Sequence, residues 1–206
     1  MITIENTALV LLAAGRSARY GDVGSKLDEE FLGKPLGVHV AVTLEDMPFL
    51  ARAAVVDRCR IDYAAHGFEM IRNYEAAEGI ASSVRRGVEF ARRHDAAAVM
   101  FALADMPRVT VSHVYRMFDV ANNPSHVVAS SDGTQTKPPG IFGRDRFDFL
   151  MSLRGDQGAR DLVRGGRHVV TSPAELIDVD TPEELEELRA LVRPRARQAA
   201  LTPVRE

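Results

Sequence analysis

The sequence predicts an α/β fold: a single-domain, doubly wound, mostly parallel sheet with helices on both faces. Three observations carry that prediction. Short apolar runs recur along the 206 residues, most with apolar side chains at consecutive positions, as in strands covered on both sides. Segments of helical period separate them. The chain is also long enough to bury one core without disulfides or metals to staple it.

The run at 7–13 collapses into Ala-Ala-Gly and reads as the first strand. Residues 35–44 follow with helical period, and the apolar run at 53–56 is the next strand. Residues 80–94 read as a helix and 96–104, an apolar run ending in Asp105, as a central strand. Helical period returns at 111–121 and 144–153, on either side of a strand at 126–129, and further strands are expected at 168–171 and 176–179. Residues 182–192 carry the fullest helix signature, with Thr181 as N-cap, Pro182 in the first turn and Glu184 closing a capping box. Two stretches, 20–33 and 130–143 ("SSDGTQTKPPGIFG"), are irregular and long for loops in a compact domain, a length that goes with function or mobility. One domain is expected over 1–192, followed by a basic, proline-interrupted tail over 193–206 that frays.

Lys and Arg number 26 against 29 Asp and Glu, a net charge of −3, so neither nucleic acid nor a membrane surface is expected as a partner. Any anion site must be local. The single cysteine, Cys59, has no neighbouring His or Cys and reads as an ordinary half-buried residue. Without a basic leader or an apolar run of roughly 18 residues, the chain is expected to be soluble and cytoplasmic.

The segment "ALVLLAAGRSARYGDVGSK" holds the first candidate site. A strand that ends in small residues places backbone N–H groups at its carboxyl end, the edge at which open α/β sheets bind ligands. Gly15 lets a ligand approach those amides, and Arg16, Arg19 and Lys26 supply charge against a polyphosphate. The spacing matches neither G-x-G-x-x-G nor G-x-x-x-x-G-K-[ST]. A tight strand-to-helix turn with solvated cations is the plain alternative.

Acidic candidates come from two distant segments. Asp105 ends the 96–104 run and Pro107 stops the strand, which turns the carboxylate to the ligand edge and suits it to Mg²⁺. A strand-end turn or helix cap is the competing role. In "LIDVDTPEEL", Asp178 and Asp180 lie two apart on the expected strand, so both point to one side and could meet on one cation. Asp180 could instead face the following helix.

Further candidates line the middle of the chain. Asn73 precedes a helix on which Ser83 and Gly87 share a face, with Ser82 beside them; the helix amino end suits a phosphate or a base edge, or simply a serine cap and close packing. Pro138, Pro139 and Gly140 stiffen and turn a loop, and Asp156 is placed to cap a helix beginning near Gln157. The six histidines show no ligand spacing.

"LAAGRSARYG" with Lys26, followed by "GKPL", resembles the signature loop of the MobA-like nucleotidyltransferases, and "ADMP", "LIDVDTPEEL" and "LRGDQGAR" resemble that family's later motifs. Ala14 in the third position brings the loop nearest to the molybdenum cofactor cytidylyltransferases. Tyr20 replaces a usual Met, and four residues rather than two separate Gly21 from Lys26. The resemblance covers about residues 8–188 and implies a Rossmann-like nucleotidyltransferase using Mg²⁺. Its nucleotide side would comprise Ala13, Ala14, Gly15, Arg16, Ser17, Arg19, Gly21, Lys26, Asn73, Gly79 and Ser83, with Arg19, Lys26 and Asp105 catalytic. Asp105 with Asp178 or Asp180 would hold the metal, Asp178 being favoured. Pro139, Asp156, Gly158 and Arg160 would face the acceptor. The implied partners are a nucleoside triphosphate, CTP first, and a phosphorylated small molecule, molybdopterin, with a molybdoenzyme or its maturation factor downstream. A guanine-specific enzyme, a sugar- or alcohol-phosphate acceptor, and a non-catalytic nucleotide- or cofactor-delivery protein are the alternatives.

Overall fold

A computed structural model describes residues 1–15 and 24–192. Nine strands occur among them: β1 (Thr7–Ala13), β2 (Glu30–Phe31), β3 (Lys34–Pro35), β4 (Ala51–Val56), β5 (Glu69–Arg72), β6 (Ala98–Leu103), β7 (Val127–Ser131), β8 (Thr136–Gly143) and β9 (Arg167–Val170). Six α-helices accompany them: α1 (His39–Leu44), α2 (Ile80–Arg93), α3 (Val111–Val120), α4 (Phe147–Ser152), α5 (Arg160–Arg164) and α6 (Pro182–Val192). Seven strands form one sheet in the order β5-β4-β1-β6-β8-β7-β9, while β2 and β3 pair as a separate hairpin. Within the seven-stranded sheet, only β8 runs against the rest. The fold is therefore the doubly wound, mostly parallel sheet that the apolar runs predict, and it is Rossmann-like as the resemblance implies.

Alternation along the central strands divides the interior. Leu9, Leu11, Met100 and Ala102 face one layer with α1 and α3, contributing Val40, Leu44, Val114 and Met117. Val10, Val55, Val99 and Phe101 face the other, where α2 lays down Val84, Val88 and Phe90 and α4 adds Phe147 and Leu150. Both faces are covered, so both residue parities are apolar, which is the pattern read from sequence. Gly87 is what permits α2 to lie so close: a Cβ there would stand 2.5 Å from the Phe101 ring and 2.9 Å from Val10. A third, smaller cluster of Phe31, Leu36, Val179, Leu185 and Leu188 clamps the β2–β3 hairpin to α6.

Several elements differ from expectation for identifiable reasons. Residues 176–179 are not a strand: a 3₁₀ turn over Pro173–Leu176 runs into extended backbone without a ladder partner. β5 escapes the apolar pattern because it is a short edge strand of mixed polarity, Glu-Met-Ile-Arg. The irregular stretch 130–143 contains β8, since the register with β7 shifts between Ala129 and Ser130 and leaves Pro138 and Pro139 where no ladder N–H is required. The helices expected at 35–44 and 144–153 each begin as a 3₁₀ turn, at Leu36–Val38 and Arg144–Arg146. Cys59 is buried rather than half-buried, and burial pushes its thiol up to about 11. Among the described residues, no helix is long and apolar enough to cross a membrane.

Candidate active site

The chain leaves β1 toward β4 and β5, then crosses through α2 to β6 on the other side of β1. Adjacent strands whose connections depart in opposite directions open a crevice at their carboxyl ends. Gly15 follows β1 and Asp105 follows β6, so both lie at that crevice. The Ala104 amide donates to the Leu12 carbonyl at 3.2 Å, extending the parallel pairing up to Asp105, and buried Met106 anchors the turn beyond it.

Two further segments meet Asp105. Its carbonyl accepts from the Val179 amide at 3.1 Å, which draws residues 178–180 to the end of β6. Thr181 and Glu184 form the anticipated capping box, Glu184 N donating to Thr181 Oγ1 at 3.2 Å and Thr181 N to Glu184 Oε2 at 3.0 Å. The Asp180 amide also donates to Glu184 Oε2, at 2.6 Å, so the backbone beneath the Asp180 carboxylate is held by α6. Lys26 rises from a single 3₁₀ turn capped by Ser25, beside buried Leu27. Its Nζ lies 2.7 Å from Asp105 Oδ2 and 2.8 Å from Asp180 Oδ1.

These charges are inside the protein: the side chains of Lys26 and Asp105 are 8% and 17% exposed. Burial raises the Asp105 carboxyl above the ordinary range, with Lys26 opposing it. Burial also works against the Lys26 charge, but Asp105 and Asp180 outweigh it and raise its pKa. Asp105 Oδ1 is buried without a hydrogen-bond partner among the described residues.

Asp178 takes a different course from Asp180. Its Oδ1 accepts from Lys137 Nζ at 3.0 Å, and Lys137 also reaches the Leu176 carbonyl at 3.3 Å. Two residues of extended chain separate equivalent atoms by about 6.6 Å, so side chains on one side of the backbone can still serve different partners. Asp178, the expected partner of Asp105, is thus replaced by Asp180, which shares one ammonium with Asp105. Among the described residues no group of three or more His, Cys, Asp or Glu gathers as a metal site. Two carboxylates fit Mg²⁺ or Mn²⁺ nonetheless, because such ions take one or two protein carboxylates and complete their shell with phosphate and water. The orphaned Asp105 oxygen supplies a further lone pair for that purpose.

A cleft of about 530 Å³ opens over this pair, lined by Ala14, Gly15, Gly79, Ser83, Asp105 and Asp180 among others. Ala13 points instead into the core. Asn73 is fully buried, and its Nδ2 donates to Ser82 Oγ and Ser83 Oγ, each at 2.9 Å. It thereby fixes the two serines at the amino end of α2, and only Ser83 of these three lines the cleft. Arg85 and Arg86, which flank that helix face, are engaged by Glu78 and by Glu75 and Glu89. Gly79 has φ +115°, and a Cβ there would lie 2.5 Å from Gly155 C and O and from Asp156 Oδ1.

A second cavity of about 330 Å³ adjoins the first, sharing Leu12, Ile80, Leu103 and Asp156 with it. Gly158 and Arg160 line it, and Pro138 does so in place of Pro139. The Pro139 carbonyl instead accepts from buried Ser130 Oγ at 2.8 Å. Asp156 caps no helix from Gln157, since α5 begins at Arg160. Lys137, Phe101 and Phe142 complete the wall without being among the sequence candidates; for Lys137 the available signal is a cation directly before two prolines in a long irregular stretch. Arg16, Ser17, Arg19 and Gly21, with Tyr20, lie outside the described residues.

A crevice at the switch point of a doubly wound sheet, with paired carboxylates facing a glycine-bearing strand end, defines a nucleotide-handling α/β protein. Residues 9–172 match the family described as "MobA-like NTP transferase domain", and the chain belongs to that family of nucleotidyltransferases. It is 31% identical over 199 residues to "Purine catabolism protein PucB" of Bacillus subtilis (strain 168), covering 87% of this chain and 94% of that one. Among solved structures, the homologue of Mycobacterium tuberculosis rv0371c from mycobacterium sp. strain JC1 has a TM-score of 0.75 at 20% identity, over 92% of this chain and 98% of that one. The Mycobacterium tuberculosis H37Rv protein Rv0371C, solved in complex with manganese, has a TM-score of 0.72 at 22% identity, over 91% and 100%. These two likenesses concern the fold.

Proposed function

We propose that this chain is a divalent-cation-dependent nucleotidyltransferase that moves CMP from CTP to a phosphorylated acceptor, molybdopterin, with release of pyrophosphate. The observation that carries the reading is the convergence of Asp105 and Asp180 on one cation position at the edge of a cleft bounded by Gly15 and Gly79. The manganese complex of the Mycobacterium tuberculosis relative supports a divalent ion of the Mg²⁺ or Mn²⁺ class. Bound there, the ion would offset charge on the triphosphate and orient it.

In this scheme the strand-end backbone at Ala14 and Gly15 approaches the nucleotide, and Ser83 borders it. Lys26, with Arg19 from the same loop, neutralises phosphate oxygens. Gly158, Arg160 and Lys137 hold the acceptor in the adjoining cavity. An oxygen of the acceptor phosphate attacks the α-phosphorus, the bond to the β-phosphate breaks, and pyrophosphate carries away that electron pair. The nucleophile is already ionised, so the protein needs no general base; its work is alignment and charge neutralisation. The name of the Bacillus relative supports purine catabolism as the setting, with a molybdoenzyme or its maturation factor receiving the product.

The test is pyrophosphate release from CTP, GTP and ATP with Mg²⁺ and molybdopterin. CTP is expected to turn over fastest, and Asp105→Asn should lower release by about 100-fold or more. An unimpaired Asp105→Asn variant would overturn the metal role. Tight nucleotide binding with no pyrophosphate from any of the three would favour a delivery protein instead.

A further inference from the structure

Lys26 Nζ lies 2.7 Å from Asp105 Oδ2 and 2.8 Å from Asp180 Oδ1, on the two carboxylates to which the proposed function assigns a divalent ion. An ion bridging the two carboxylates through the oxygens that face Lys26 would take the lone pairs that the ammonium occupies and the space beside them. Two positive charges cannot share that space.

We infer that Lys26 is a place-holder, occupying the metal position in the nucleotide-free protein and leaving it when a triphosphate offers the ammonium a replacement partner. The inference rests on the nucleotidyl-transfer reading and adds to it an order of events.

The surroundings permit the exchange. The backbone of Lys26 is fixed by the Ser25 cap, with Ser25 Oγ accepting from Leu27 N at 3.3 Å, and Leu27 is packed in the core. Only the side chain must move. The cleft above it, bounded by Gly15, Gly79 and Ser83, has about 530 Å³ in which to receive a polyphosphate. The carboxylates do not depend on Lys26 for position, since Asp105 is held through the Val179 amide and Asp180 through the α6 capping box. Asp105 Oδ1, buried and unpartnered among the described residues, shows that one ammonium does not satisfy this carboxylate. Nucleotide and metal should therefore bind with positive coupling, and metal alone should bind poorly.

The experiment titrates Mn²⁺ into the nucleotide-free full chain, following free Mn²⁺ by electron paramagnetic resonance. Lys26→Met keeps an unbranched stem one atom shorter and removes the charge; Lys26→Gln serves as a second variant, and circular dichroism checks that each is folded. The expected result is Mn²⁺ affinity higher by at least about tenfold in the variants than in the wild type, within the roughly 5- to 150-fold span typical of coupled sites. Adding Asp105→Asn to Lys26→Met should abolish the gain. Equal affinity in wild type and variants overturns the place-holder and leaves the metal site intact. Variants that take up no Mn²⁺, while wild-type pyrophosphate release still requires Mn²⁺ and Asp105, also overturn the place-holder alone. If that release is absent as well, the nucleotidyl-transfer reading falls with it.

Discussion

Gly79 offers a graded test of how the two cavities are joined. Its φ of +115° and ψ of −178° lie in a region almost confined to glycine, and a side chain forced there costs about 1–3 kcal/mol. A Cβ would also sit 2.5 Å from Gly155 C and O, and backbone cannot retreat as the end of a flexible side chain does. Relieving that overlap costs about 1–3 kcal/mol more and pulls on the bond from Ala81 N to Gly155 O, 3.0 Å long. Gly79→Ala should therefore lower unfolding free energy by roughly 2–6 kcal/mol. Two comparison sites separate the contributions. Gly67 has φ +77°, and a Cβ added there would meet nothing within 4 Å among the described residues, so Gly67→Ala should cost only the left-handed backbone, about 1–2 kcal/mol. Among the described residues a Cβ on Gly15 would likewise meet nothing within 4 Å, and Gly15 lacks the positive φ, so Gly15→Ala should stay within about 0.5 kcal/mol of the wild type while weakening nucleotide binding. Urea unfolding of the three variants, with m-values compared, reads the series. A Gly79→Ala loss no larger than that of Gly67→Ala would refute the steric argument.

Leu185 is 1% exposed in the cluster that joins α6 to the β2–β3 hairpin, so Leu185→Ala should cost about 2–5 kcal/mol by urea unfolding; a loss below about 1 kcal/mol would show that this cluster does not hold α6. His113 is fully buried, its Nε2 donating to Ser130 Oγ and its Nδ1 accepting from Arg116, and burial followed by Arg116 lowers its pKa below the ordinary 6.5. The unfolded chain then binds a proton that the folded one resists, so stability should fall as pH drops below about 6.5 toward the lowered value. His113→Gln removes the titrating group, and a difference between the two stability–pH curves that does not narrow below about pH 6.5 would contradict this assignment.

The sheet is legible in the sequence because burial on both faces writes a run of apolar residues; 7–13 is bounded in the structure as the sequence bounds it, and the last helix starts at Pro182 as its cap signals predict. Asp105, Lys26 and Asp180 are legible as candidates too, since each stands at a strand end or beside a cap. What a sequence does not convey is which charges pair across distance. Asp178 and Asp180 have the same local chemistry, and only the placement of Lys137 by the β7–β8 register shift separates them. Pro138 and Pro139 are equivalent as candidates for a cavity wall until the hydrogen bond from Ser130 identifies the inward carbonyl. Lys137 itself is hard to read because a proline-rich stretch hides an antiparallel strand.

The order in which forces assemble this site bears on what its charges do. Ion pairs with exposed members contribute little to stability, and the Asp180 side chain is 37% exposed. Each large apolar side chain fully buried contributes about 1.5–3 kcal/mol, and Val179, Leu185 and Leu188 are at most 1% exposed. The segment carrying Asp180 is therefore held at the end of β6 chiefly by its neighbours in the small cluster, the hydrogen bond from the Val179 amide to the Asp105 carbonyl and the cap of α6. The Lys26 turn is held in the same way by Leu27 in the main core. A site framed by apolar packing can release one charged member without losing its shape. A site held together by its ion pairs would spread apart as the lysine left, and its two carboxylates could not then receive a single ion.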